Sequence, residues 1–178
     1  RFTMDDVCDG VVKKLLFRHP HVFGDGHEDS PESVLVSWEQ LKRREKGQKT
    51  VSDSMDSVAR SLPSLWRAEK LQKKAAAAGF EWPDVQGALD KLEEEVAELR
   101  RAVENGGDVP DELGDVLFAA VKVGRFCGCD PEDAVNGTCE KFIHRFRAVE
   151  EGAAVRGREV SQLSLEEMTA LWNEAKRS

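Results

Sequence analysis

From Val85 to Val103 the apolar positions Val85, Leu89, Leu92, Val96, Leu99 and Val103 alternate steps of four and three. That spacing draws one continuous apolar stripe along an α-helix and predicts that it faces a bundle core. Leu113, Leu117, Ala120 and Gly124 form a second stripe, flanked by Val116 and Val121, on a helix that returns after Asn105-Gly106-Gly107. Strand-type alternation is scarce, whereas helix punctuation recurs. Thr3 opens T-x-x-D before an apolar run that should stop near His19-Pro20, and Ser30-Pro31-Glu32 starts a helix to about Lys46. The polar run "GQKTVSDSMDSVARS" reads as a mobile connection. "PSLWRAEKLQKKAAAAGF" predicts a helix that Gly79 ends. Three more helices are expected from about Asp84 to Glu104, Asp108 to Cys127 and Asp130 to Arg156, and a last one from the capping box Ser164-Leu165-Glu166-Glu167. The fold class is therefore all-α, a helical bundle.

A partial repeat runs through this pattern. "GVVKKLLFR" from Gly10 to Arg18 matches "GTCEKFIHR" from Gly137 to Arg145 at its Gly, one Lys and the final Arg. Ser30 to Lys42 and Ser164 to Lys176 then share S-x-E, a Trp eight residues after the Ser, and a Lys four later. Lys14, Arg18, Trp38 and Lys42 thus correspond to Lys141, Arg145, Trp172 and Lys176. The second copy follows the acidic helices and the first follows nothing, so Arg1 is expected to lie inside a shortened first repeat.

Composition narrows the function. The chain has 178 residues, a formal charge of −8 and 40% hydrophobic residues, enough for one moderate domain or two small helical units. It has no apolar run near the roughly 20 residues that span a bilayer, so no membrane association is expected. Net acidity argues against nucleic-acid binding, which draws on clustered Lys and Arg. Cys8, Cys127, Cys129 and Cys139 do not form a CxxC pair, and they read as reduced thiols of a cytoplasmic protein.

The chemistry lies in "LEEEVAELRRAVENGGDVPDELGD". At about 100° per residue, Lys91, Glu94, Glu95 and Glu98 gather on one flank of the first stripe, with Glu93 on the other. Like charges three and four residues apart repel unless a cation stands between them. Glu112 and Asp115, again three apart, border the stripe of the return helix. A short turn makes the two helices antiparallel neighbours, so the acidic arcs can converge. Oxygen donors without His or Cys suit Mg²⁺ or Mn²⁺ rather than zinc. An acidic helix flank is ordinarily solvated surface, and it is the second E-x-x-D that sets this one apart.

Glu94-Glu95-x-x-Glu98 and Glu112-x-x-Asp115, together with "RHPHVFGD", "SLPSLWRAEKLQKKAAAAGFEWPDV", "DELGDVLFAAV" and "EKFIHRFRAVE", resemble the MazG family of nucleoside triphosphate pyrophosphohydrolases over nearly the whole chain. The resemblance implies a MazG-like fold in which a four-helix active-site bundle is completed in a homodimer. It divides the chain into a remnant of a first repeat (1–46), a linker (47–62) and a complete catalytic unit (63–178). It implies Mg²⁺ held by Glu95, Glu98, Glu112 and Asp115, with Glu94 as a further ligand or water-orienting group. Lys91, Lys141 and Arg145 are expected to hold the triphosphate, and Trp172 and Lys176 to contact the nucleotide. Members often carry Asn two residues before the Lys of "EKF", where this chain has Cys139, whose thiol lacks a carboxamide's paired donor and acceptor.

The expected reaction is the Mg²⁺-dependent hydrolysis of a nucleoside triphosphate, NTP or dNTP, to monophosphate and pyrophosphate, a house-cleaning of nucleotide pools. Lys141 and Arg145, one helical turn apart, can clamp phosphoryl oxygens, and Trp172 offers a stacking face with little base selectivity. The alternative expectation is a catalytically weak nucleotide-binding or dimerisation module.

Overall fold

The computed structural model describes residues 2–18, 20–23, 47 and 49–176. Among these the regular elements are all helical: α1 (Met4–Arg18), α2 (Pro20–Phe23), α3 (Val51–Asp56), α4 (Ser64–Ala77), α5 (Val85–Asn105), α6 (Val109–Phe126), α7 (Pro131–Val155), a 3₁₀ turn (Val160–Gln162) and α8 (Leu165–Ala175). The helix expected from Ser30 to Lys46 lies outside the described residues, as do Trp38 and Lys42. The chain divides into two compact units: Arg1–Leu62 with Arg67–Pro83, and Pro63–Trp66 with Asp84–Ser178.

In the first unit, Thr3 and Asp6 cap α1 reciprocally: Asp6 accepts from Thr3 N at 2.8 Å, and Thr3 Oγ1 accepts from Asp6 N at 3.2 Å. α1 buries none of its residues, and Val7, Val11, Leu15 and Leu16 stay exposed. The polar run expected to be a mobile connection contains α3, closed by a capping box between Thr50 and Asp53. Two reciprocal bonds let a six-residue helix form where its composition reads as loop. Lys74 of α4 donates to Ser54 at 2.6 Å, and Ser54 is buried. α4 ends before Gly79, whose φ of +89° admits the left-handed turn that closes the helix.

The second unit follows its punctuation closely. Asp84 caps α5 by accepting from Gln86 N and Gly87 N, and Gly106 ends it with φ of +74°. Asp108 caps α6 and Asp130 caps α7, each ahead of a proline in the first turn. The Ser164–Glu167 capping box opens α8. The core of this unit lies between α7, the 3₁₀ turn and α8, where Val149, Ala153, Leu163 and Leu171 are buried and Val160, Met168 and Trp172 pack against them.

The α5–α6 hairpin departs from expectation in one informative way. Its buried positions on α5 are Ala88, Glu95 and Ala102, at intervals of seven, and on α6 Ala119, Val121 and Lys122. The predicted stripe exists but does not form the hairpin seam: Leu89, Val96 and Val103 are 37%, 43% and 62% exposed, and Leu113 and Leu117 are exposed on α6. Alanine faces let two backbones approach more closely than leucine and valine faces do, so the seam forms about 80° around the helix from the stripe. One consequence is that a glutamate enters the seam. Another is that Leu89, Val96 and Val103 of α5 and Leu113 and Leu117 of α6 remain open on the hairpin, with Leu92 and Leu99 half-buried between them.

Candidate active site

Glu95 reaches the seam because it lies two turns from both Ala88 and Ala102, on the face that meets α6. It is only 7% exposed, and a carboxylate in such a place requires compensation. One oxygen each from Glu95, Glu112 and Asp115 lie within 4.8 Å of one another, drawn from the middle of α5 and the first two turns of α6. Partial burial, followed by the charges of Glu98, Asp115, Asp111 and Glu95, raises the pKa of Glu112 above the ordinary glutamate value. Every neighbouring charge in that account is negative, so a cation placed among these oxygens relieves them all. The donor set is oxygen alone, on rigid helices, with separations that one divalent ion can bridge. The residues therefore fit Mg²⁺ or Mn²⁺.

The other acidic residues of the motif point to internal cations. Lys91 Nζ lies 2.8 Å from Glu94 Oε1 and 2.8 Å from Glu95 Oε1, and these bonds, Glu94 first, raise its pKa. Arg101 Nη2 bonds Glu98 Oε1 at 2.9 Å, leaving that side chain 35% exposed. Glu98 is close enough for its charge to act on Glu112. Glu94 is the outermost of the set, its side chain 56% exposed.

A second group forms on α7 and α8. The Arg145 guanidinium carbon lies 5.7 Å from the Trp172 ring centroid, within cation–π range. Phe142 meets Trp172 at 4.9 Å between centroids, tilted by 56°, and stacks with Phe146 at 6.2 Å. Phe142, Phe146, Val149, Leu165, Met168 and Trp172 line an apolar groove of about 240 Å³. Lys141 is exposed one turn before Arg145, and Lys176 is exposed at the C-cap of α8, its N–H bonded to Trp172 O. Cys139 is an exposed free thiol on the same helix. The structure draws no hydrogen bond or ion pair between this group and the carboxylates among the described residues. Lys14 and Arg18, the repeat counterparts of Lys141 and Arg145, lie on α1 in the other unit.

Sequence reasoning missed Lys122, a buried lysine whose pKa is lowered by loss of hydration. The available signal was its position two turns after Asp115, on the face α6 gives to the hairpin. It also missed the groove beside Trp172, because apolar spacing on α7 and α8 gives no sign of where two helices part.

Similarity to known proteins agrees with this geometry. The family described as "MazG nucleotide pyrophosphohydrolase domain" matches residues 84–149, which hold α5, α6 and most of α7. A nucleoside triphosphate pyrophosphohydrolase of Escherichia coli (strain K12) is 41% identical over 181 residues, covering 99% of this chain and 69% of that protein. A nucleoside triphosphate pyrophosphohydrolase/pyrophosphatase of Thermotoga maritima is 37% identical, over 98% of this chain and 66% of its own length. An uncharacterised protein of Bacillus subtilis, YabN, is 44% identical over 99% of this chain, which spans 37% of that protein.

Proposed function

The chain belongs to the MazG family of nucleoside triphosphate pyrophosphohydrolases, and on that premise we propose that it hydrolyses NTPs or dNTPs to the monophosphate and pyrophosphate with Mg²⁺, Mn²⁺ serving as a substitute. The observation that carries this reading is the convergence of Glu95, Glu112 and Asp115 within 4.8 Å in the hairpin seam.

Glu95, Glu98, Glu112 and Asp115 hold the divalent ion. When bound, such an ion supplies Lewis acidity toward phosphate oxygens and offsets the charge of a leaving pyrophosphate. The remaining work falls to side chains. Glu94, outermost on the arc, orients the attacking water and accepts its proton. Lys91, Lys141 and Arg145 neutralise the triphosphate, Arg145 in a two-pronged grip that a lysine cannot give. Trp172 and Lys176 receive the nucleoside, and a stacking face without a fixed donor–acceptor pattern accepts several bases. Water then adds to the α-phosphorus as the bond to the β-phosphate oxygen breaks. No covalent enzyme intermediate is needed.

The open apolar stripe of α5 and α6 supports a homodimer in which two hairpins form a four-helix bundle. The four free, exposed thiols support a cytoplasmic setting. No helix among the described residues is long and apolar enough to cross a membrane.

The test is a product assay with ATP and Mg²⁺. AMP plus pyrophosphate is expected, and ADP plus phosphate would reject the reading. Nucleotide binding without turnover, unchanged by Glu98→Gln, would instead identify a binding or dimerisation module.

A further inference from the structure

Lys91 is the cation bonded to the buried member of the carboxylate cluster. Its ammonium lies 2.8 Å from Glu95 Oε1 and equally close to Glu94 Oε1. Glu95 cannot turn to solvent from the seam, so in the free protein this ammonium supplies its countercharge. The arrangement is one that can let go. The Lys91 side chain is 36% exposed and therefore has a path outward. Lysine precedes glutamate by four residues, which is the weaker order for such a pair on a helix. The ammonium is a point charge on a flexible stem, with no planar geometry to lose on leaving.

We propose that Lys91 is an exchangeable counter-ion: it neutralises Glu95 in the free protein, vacates that carboxylate when a divalent cation is taken up, and then binds a phosphate oxygen of the substrate. The inference rests on the metal-site reading given above, and it links metal uptake to substrate capture through one side chain. A lysine that merely holds Glu95 in place would act in the opposite sense, since its loss would loosen the ligand.

The two roles separate in Mn²⁺ binding followed by calorimetry or electron paramagnetic resonance, with no nucleotide present. Lys91→Met removes the competitor, and Mn²⁺ is expected to bind about two- to fivefold more tightly than to the wild type, the range for releasing a partly exposed ion pair. Lys91→Arg keeps a cation there and is expected to stay near the wild-type affinity. In Mn²⁺, Lys91→Met is then expected to bind an α,β-methylene triphosphate analogue about tenfold or more weakly than the wild type. Circular dichroism checks that both variants keep their helices. Unchanged or weaker Mn²⁺ binding by a folded Lys91→Met overturns the exchange while leaving the metal site intact. A wild-type protein that binds no Mn²⁺ overturns both.

Discussion

Trp66 donates its indole N–H to both carboxylate oxygens of Asp130, at 2.8 and 3.0 Å. The same carboxylate caps α7 by accepting from Glu132 N and Asp133 N, while Glu132 accepts from Leu65 N at 3.3 Å. One side chain therefore fixes the start of the helix that carries Lys141 and Arg145 and ties it to the first turn of α4. Asp130→Ala is expected to lower stability by about 1–2 kcal/mol, the usual loss of a cap. Trp66→Phe is expected to lower it by about 0.5–1.5 kcal/mol. Urea denaturation of the double variant should show less than the sum, because both changes remove the same bond.

Gly152 faces Leu171 so closely that an added Cβ would stand 2.5 Å from Cδ2 and 2.9 Å from Cδ1. Gly152→Ala gains about 1 kcal/mol of helix propensity but incurs overpacking of about 1–3 kcal/mol. Leu171 is buried against Val149 and Ala153 and has little room to yield. A net loss of up to about 2 kcal/mol is expected, read as a fall in Tm.

Glu112→Gln removes one of the three converging carboxylates without changing volume. Pyrophosphate release in saturating Mg²⁺ is expected to fall at least about 100-fold, and Mn²⁺ affinity with it. The helical spectrum should be retained. A variant with full activity would remove Glu112 from the site.

Val96 is 43% exposed in the single chain although it lies in the middle of the longest apolar stripe. Val96→Glu is expected to change the stability of an isolated chain by about 0.5 kcal/mol or less, as exposed positions do. If the stripe is an interface between two copies, gel filtration should show the variant at half the mass of the wild type. Unfolding of the variant, or an unchanged elution, would argue against that use of the stripe.

Glu167 offers a pH test away from the carboxylate cluster. Bonding from Ser164 N, then from the Arg158 guanidinium, lowers its pKa below the ordinary glutamate value. Arg158 also donates to Gln162 O, which ties the 3₁₀ turn to α8. A depressed carboxylate contributes stability that is present above its unfolded pKa and lost as pH falls through the folded one. The Tm gap between wild type and Glu167→Ala should therefore be full at neutral pH and close at acid pH. A gap independent of pH would mean that only packing is involved.

Much of this was legible in the residues, for identifiable reasons. Asp84, Asp108, Asp130 and Ser164 predicted helix starts because a side-chain oxygen beside free backbone N–H groups is a local matter. The convergence of Glu95 with Glu112 and Asp115 followed from helix period and a short turn. The choice of seam did not, because the sequence presents two competing faces and the bulkier one invites burial. Only the distance between backbones decides for Ala88 and Ala102 over Leu89 and Val96. α3 was hidden by the polar composition around Thr50. The relation between Arg145 and Trp172 was likewise not readable, since it depends on how the turn from Arg156 to Ser164 brings α8 back along α7.

The seam of Ala88, Glu95 and Ala102 leaves methyl groups as the spacers between α5 and α6. Enlarging either alanine would push the backbones apart and separate Glu95 from Glu112 and Asp115 without altering a single acidic side chain. The residues proposed to receive the nucleoside lie on different helices, with a different core. Ala88 and Ala102 thus set the spacing of the hairpin, while Trp172 on α8 rests on the separate core of Val149, Ala153, Leu163 and Leu171. A change at either place can then leave the other undisturbed.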